Sequence, residues 1–350
     1  VQAFQRLITD YPKSELSGDA ILEIIDISAG RLQLQTAVNF ARMYMTRFPK
    51  SPKTTKLLAG SCAYYEALSQ PDKTKEVCPA VIAAGGAAAP FAAESMAGAF
   101  ERAGRHDEFA ALAEKYLLAY ARTPSEKIEV WNRIEAAARR SGKTGKATAA
   151  QQQIIRIYDS NKKAVSGSSL SYVGAIRFAQ EFSGFEKFRR ETLKGGKSGA
   201  ELQQNILKRN GDLKKLTDRF TAVAQDVGDA EWSVASLYVV GYAHEIVASE
   251  LLNPPQPPGV SGEAWQKAKV ALSGIGTQLQ KKGKDYYVSA GEIISKFNIY
   301  SEYGQKVFTA LARLEPVKYK KAEEWIPSAL FVGTEVIDSS KVKSALEPGS

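Results

Sequence analysis

The sequence predicts an all-α protein, an α-solenoid in which antiparallel helical hairpins are stacked in series, followed by a helical C-terminal domain with longer helices. Three observations predict it. Alanine-rich stretches such as "AAGGAAAPFAAESMAGAF" (Ala83–Phe100) and "RIEAAARR" (Arg133–Arg140) favour helix, and clean alternations of Val, Ile and Thr are missing, so almost no sheet is expected. A chain of 350 residues exceeds one ordinary hydrophobic core, which leaves two or three domains or one elongated array. A pattern of apolar residues closed by proline also returns at the length of one helical hairpin.

That repeat is read as follows. "FQRLITDYPKS" at Phe4–Ser14 returns as "FARMYMTRFPKS" at Phe40–Ser51, which places Pro12 and Pro49 37 residues apart, and "EKYLLAYARTPS" puts Pro124 a further 75 on. Each proline falls just past an apolar helix, where a residue without a backbone N–H stops the helix and sets the path into the next. Two units carry more. In "VWNRIEAAARRSGKTGKATAAQQQIIRIYD" the large Trp131 and Ile134 belong to a first helix, and the small Ala147 and large Ile154 to a second. In "AFERAGRHDEFAALAEKYLLAYARTP" Gly104-Arg105 forms the turn, with Glu108 just ahead of Ala110. Small residues let two antiparallel helices approach, and large ones fill the groove against the next hairpin.

These residues resemble the tetratricopeptide (TPR) repeat family over about residues 1–160. The chain departs from that pattern at Glu135, where the family has a small residue, and at "AAGGAAAP", where a clear helix end is expected. The resemblance implies a right-handed stack whose first helices form a concave docking surface. Spacing between the packing positions then points to Glu23, Asp26, Lys56, Tyr64, Glu94, Glu129 and Arg133 as partner-binding residues.

Beyond residue 160 the rhythm changes. Helices are expected over Ser169–Phe182, Phe185–Leu193, Ala200–Asp226, Ala230–Leu251, Gly262–Lys282, Lys284–Leu314 and Lys318–Trp325. Leu202, Ile206, Leu213, Leu216, Phe220, Val223 and Val227 recur mostly at three- to four-residue intervals and read as a buried stripe. The expected organisation is repeats over 1–160, a helical domain over 161–335 and a flexible tail over 336–350. Gly241, the Pro254–Pro258 cluster followed by Trp265, and "LARLEP" at Leu311–Pro316 resemble, more loosely, the C-terminal part of envelope TPR scaffold proteins of delta-proteobacteria and relatives, gliding-machinery components among them. That likeness implies a scaffold in a periplasmic, outer-membrane-associated complex.

Candidate chemistry is sparse. Cys62 and Cys78 lie eight residues either side of Gln70, next to the turn at Pro71, which brings them across from each other in an antiparallel hairpin. They are either a disulfide, which would imply an oxidising compartment, or two buried thiols, and their spacing without a nearby His argues against a metal or a redox CxxC centre. His106 stands in a polar turn and His244 in an apolar helix, with no second ligand or triad partner in pattern. "RSGKTGKAT" and "KGGKSGAE" imitate phosphate loops, but Ala137 and Glu191 stand where the first glycine belongs, so both read as basic turns. Carboxylates are interleaved with Lys and Arg at helical spacing, which reads as surface pairing. The run "NPPQPPG" (Asn253–Gly259) is a long inter-helix turn or a polyproline docking strip. No catalytic residue, cofactor or metal is expected.

The net charge of +9 divides into +4 over residues 1–160 and +5 over 161–350. The second surplus lies in Lys187, Arg189, Arg190, Lys194, Lys197, Lys208, Arg209, Lys214, Lys215 and Arg219, set against five acids. Aromatic residues do not alternate with these charges, so nucleic acid is disfavoured as a partner. Lys187, Arg189, Arg190, Lys208, Arg209, Lys214 and Lys215 are the candidates should the partner be an anionic polymer or membrane surface. No run of eighteen apolar residues occurs, so no helix is expected to span a bilayer. The opening Val1–Tyr11 reads as the end of a helix, so a processed or partial chain is expected, with any signal peptide or lipid anchor upstream of Val1. The sequence therefore points to a non-catalytic protein-interaction scaffold. A cytoplasmic adaptor for an anionic surface is the alternative, and a cell-wall-acting enzyme on a helical scaffold is the third reading.

Overall fold

A computed structural model describes residues 1–260 and 262–319, together with the backbone of 329–332 and 335–338. The fold is all-α in two compact units, residues 1–172 and 173–350. The unit boundary falls inside a helix, Ser168–Arg190.

The first unit begins with α1 (Gln2–Asp10), followed by four hairpins: α2 (Glu15–Gly30) with α3 (Leu34–Arg47), α4 (Thr54–Ala67) with α5 (Pro71–Ala84), α6 (Ala88–Arg102) with α7 (His106–Leu112), and α8 (Pro124–Arg140) with α9 (Thr144–Asn161). Helix α7 continues through a wide π turn at Ala113–Leu117 to Tyr120. Each helix packs on the next, and α4 also packs on α6. Ile21, Ile24, Phe100, Phe109, Ile128, Ile134 and Ile154 are fully buried between them.

All four hairpins turn in the same way. Leu32, Ser69, Gly104 and Gly142 occupy the left-handed region, at φ of 57°, 54°, 70° and 70°. The next residue's N–H then reaches back to the first helix in every case: Gln33 to Ser28 O (2.8 Å), Gln70 to Tyr65 O (2.9 Å), Arg105 to Phe100 O (3.0 Å) and Lys143 to Ala138 O (2.8 Å). This is the bond that satisfies the last carbonyls of a helix ending in a left-handed residue. Gly142 of the phosphate-loop lookalike is thus a helix stop.

The side chains of those same N-cap residues link each hairpin to the one before. Gln70 Nε2 donates to Gln35 Oε1 (3.0 Å), Arg105 to Asp72 (2.7 Å) and Lys143 to Asp107 (2.7 Å). In each case the N-cap of one second helix meets the second residue of the preceding second helix. At the equivalent place in α9 stands Gly145, which has no side chain to offer. Glu135, the departure from the family pattern, is mostly buried and holds α9 by accepting from Gln151 Nε2 (2.8 Å) while also bridging Arg139. The "AAGGAAAP" segment does end a helix: α5 stops at Ala84, and Gly85 and Gly86 both take positive φ before α6.

The second unit contains α10 (Ser168–Arg190) from residue 173 onward, α11 (Gly199–Val227), α12 (Ala230–Leu252), α13 (Gly262–Phe297) and α14 (Glu302–Leu314). Side chains of Ser198, Asp229 and Ser301 cap α11, α12 and α14. Helix α12 is predominantly apolar and packs on α11, α13 and α14, while its Glu245 and Glu250 are held in ion pairs. Phe178, Phe185, Phe188, Phe220, Val239, Val247 and Trp265 form its largest core cluster, which contains most of the expected α11 stripe.

Two expected helix breaks do not occur. Residues 169–193 were expected as two helices, yet α10 runs unbroken to Arg190, and α13 passes straight through Gly283 to Phe297. Gly283 is a contact point: a Cβ there would stand 2.9 Å from Gly241 O, and a Cβ on Gly241 would meet Tyr287 at 2.6 Å. The chain instead leaves the helix at Asn298, with φ 52°. Pro254 and Pro257 are buried and Pro255 lies against Gly195, so the proline run is a packed turn. Strands β1 (Ala329–Val332) and β2 (Glu335–Asp338) pair antiparallel, with Ala329 opposite Asp338. Most of the helix expected over 318–325 and of the tail expected over 336–350 lies outside the described residues, and residues 336–338 of that tail belong to β2.

Candidate docking face

The seven residues proposed from spacing all fall on the first helices of the hairpins. Glu23 and Asp26 are exposed on α2, Lys56 is exposed and Tyr64 half-buried on α4, Glu94 is exposed on α6, and Glu129 and Arg133 lie on α8. Tyr64 packs against the core of the first hairpin, which fixes its ring. Glu129 accepts a hydrogen bond from Ser168 Oγ at 3.0 Å.

Glu94 and Arg133 are brought together. Arg133 reaches from α8 to Glu94 (2.8 Å) and Glu101 (2.6 Å) on α6 and lies 5.0 Å over the Phe109 ring. Burial works against the guanidinium charge, but the two carboxylates outweigh it and hold the pKa above its ordinary value. Similar links run from Arg102 on α6 to Glu66 on α4 (2.6 Å) and from Lys53, ahead of α4, to Asp19 on α2 (3.6 Å). The first helices are therefore tied one to the next by ion pairs. Arg133 is in large part structural.

Spacing missed two exposed apolar residues of the first helices, Leu16, 62% exposed two turns before Glu23 on α2, and Phe91. Phe91 is 75% exposed on α6, one turn ahead of Glu94. Its signal was a phenylalanine three residues before an exposed glutamate, obscured because the neighbouring "AAGGAAAP" was taken for a disrupted helix end.

Behind the face, Cys62 of α4 and Cys78 of α5 form a disulfide, with Cα atoms 5.3 Å apart. Both are buried with Val81, Ala92 and Met96.

The basic region divides differently. Lys187, Arg189, Arg190, Lys208, Lys214 and Lys215 are exposed. Arg209 must be removed from the set of anion-binding candidates: it is buried, forms a two-pronged pair with Glu250 (2.9 and 3.0 Å), donates to Phe188 O and stacks 3.9 Å over the Phe188 ring. Arg189 and Arg190 share Glu186, and Lys215 lies 3.8 Å from Asp212. Lys187, Lys208, Lys215 and Arg219 line a cleft of about 340 Å³, but Glu181, Glu191 and Asp212 line it too.

His244 is buried. It hydrogen-bonds Val240 O through Nδ1 at 2.9 Å, and burial holds its pKa below the ordinary value. Tyr287 donates to Glu245 (3.0 Å), which also receives Arg313, and burial pushes the phenol well above its usual range.

No protein-family model matches the chain, and no curated protein matches it. Among the described residues no helix is long and apolar enough to cross a membrane, and no group of three or more His, Cys, Asp and Glu is placed to hold a metal ion.

Proposed function

We propose that this chain is a non-catalytic scaffold of the tetratricopeptide kind, holding other proteins on the face made by α2, α4, α6 and α8. The observation that carries the reading is Phe91, a large aromatic left 75% exposed on a helix tied to its neighbours by Arg102 and Arg133. A large exposed aromatic on a tied helix, with the exposed Glu94 one turn on, has the composition of an interface anchor. Glu23, Asp26, Lys56, Tyr64, Glu94 and Glu129 supply the surrounding polar contacts.

The disulfide supports an oxidising compartment, the periplasm of a bacterial envelope, as the place of work. The interleaved carboxylates of the α10–α11 cleft and the burial of Arg209 weigh against the anionic-surface alternative.

A photo-crosslinking amino acid placed at position 91 in cells of the source organism tests the face. Discrete adducts at 91, lost in a Glu94→Lys, Lys56→Glu double variant and missing from a probe at Gln153 on α9, are the expected result. Equal adducts at both positions, or none at 91, would count against it. Thiol titration of protein isolated from its native compartment tests location, with two titratable thiols before reduction excluding the oxidising-compartment reading.

A further inference from the structure

A different surface, in the second unit, has the form of a binding groove. Helices α11 and α13 flank α12, and a cleft of about 580 Å³ opens between them. One wall is a single stripe of α13: Ile275, Leu279, Lys282, Tyr286 and Ser289 recur at three- and four-residue steps. At 1.5 Å per residue this stripe is about 21 Å long, or four helical turns. The opposite wall is Asn210, Leu213, Lys214 and Thr217 of α11, and His244 of α12 forms part of the floor.

Two features suit the groove to a helical peptide. Ile275 is 42% exposed at one rim and Leu207, one turn before Asn210 on the same side of α11, is 64% exposed, so large apolar groups stand uncovered on both sides. With Nδ1 committed to Val240 and its ring kept neutral by burial, His244 adds no charge to the floor, so the cationic groups of the lining are Lys214 and Lys282, one from each wall. Asp285 lies toward the Ser289 end.

We propose that this groove receives an amphipathic helix from a partner protein, with apolar residues at i, i+4, i+7 and i+11 against Ile275, Leu279 and Leu213, and carboxylates meeting Lys214 and Lys282. Asp285 then faces the N-terminal end of the bound helix, where the backbone dipole is positive. This surface is independent of the first-helix face.

The test uses the full chain and two fluorescein-labelled 18-residue helical peptides that share the same leucine stripe, one flanked by glutamates and one by lysines. Fluorescence anisotropy is expected to show saturable binding of the glutamate peptide, weakened about tenfold or more by Ile275→Glu. The double variant Lys214→Glu, Lys282→Glu is expected to reverse the preference toward the lysine peptide. Lys187→Glu, Lys208→Glu, outside the groove, controls for the net charge of the chain and is expected to change binding less than threefold. Both rim and lysine positions are exposed, and circular dichroism confirms that the variants fold. Binding insensitive to Ile275→Glu, equal binding of both peptides, or no binding up to millimolar peptide overturns the proposal. So does a dimer in sedimentation velocity that Ile275→Glu dissociates, because the occupant would then be a second copy of the chain.

Discussion

Breaking the Cys62–Cys78 bond is the perturbation with the most local consequence. The two residues are 16 apart in sequence. The loss of loop-closure entropy in the unfolded chain makes such a cross-link worth about 3 kcal/mol. The surrounding hairpin has few compensations: Pro79 removes a backbone N–H from the interior of α5 directly after Cys78, Ser69 holds a left-handed turn without being glycine, and neither α4 nor α5 has a side-chain N-cap. The destabilisation should therefore concentrate in α4 and α5. Amide hydrogen exchange read by mass spectrometry, with and without a dithiol reductant and in the Cys62→Ala, Cys78→Ala variant, reports this directly. Three kilocalories correspond to exchange faster by on the order of a hundredfold in α4–α5. Peptides from α8–α9, which begin with the Thr123–Glu126 capping box, should change far less. An increase below about fivefold in α4–α5, or one of equal size in α8–α9, would refute both the entropy argument and the local weakness of the second hairpin.

Other consequences are smaller or simpler to read. Leu32 is 82% exposed at φ 57°, so Leu32→Gly removes backbone strain without losing burial and should raise stability by about 0.5–1 kcal/mol in thermal unfolding. Gly142→Ala, at the equivalent turn, should lower it by about 1 kcal/mol. Arg209→Met leaves Glu250 mostly buried without its partner and should cost about 3 kcal/mol in urea unfolding, with much of the loss recovered when Glu250 is also replaced by Leu. Gly241→Ala places a methyl 2.6 Å from Tyr287 and should destabilise the second unit by about 1–3 kcal/mol. His244 is favoured in its neutral form by the fold, so its contribution is complete above its unfolded pKa of 6.5 and is lost as pH falls below that value toward the lower folded one. His244→Leu should flatten the stability profile as pH falls below the unfolded value of 6.5, and an unchanged slope would show that the ring is solvated in the native state.

The helical class was readable because composition, proline placement and spacing agreed from Phe4 to Asp159. The individual hairpins were less so, because the turn signal is glycine in half of them and Leu32 or Ser69 in the others; the hydrogen bonds, not the residue type, carry the repeat. Glycine also misled in the opposite direction. Gly184 and Gly283 look like helix ends in sequence, yet one lies within α10 and the other lets α13 touch α12 backbone to backbone, a role fixed by a residue 42 positions away. The same limit applies to the basic region: Lys208 and Arg209 are neighbours in sequence, and only the position of Glu250 separates an exposed charge from a buried one. Long-range pairing decides such cases, and one-dimensional spacing does not contain it.

The line of side chains joining the second helices has a consequence for how such an array is assembled. Each second helix presents, at its second residue, an address that the next hairpin reads with its N-cap: an amide is read by an amide at the first joint, and an aspartate by a cation at the next two. Exchanging the second and third hairpins would set Arg105 against Gln35 and Gln70 against Asp107, so the order of the units is written in their caps as well as in their cores. The charged joints weaken with added salt while the amide joint does not, which grades the array from one end to the other. At Gly145 the address is blank, and a further hairpin of this kind would find nothing there to read.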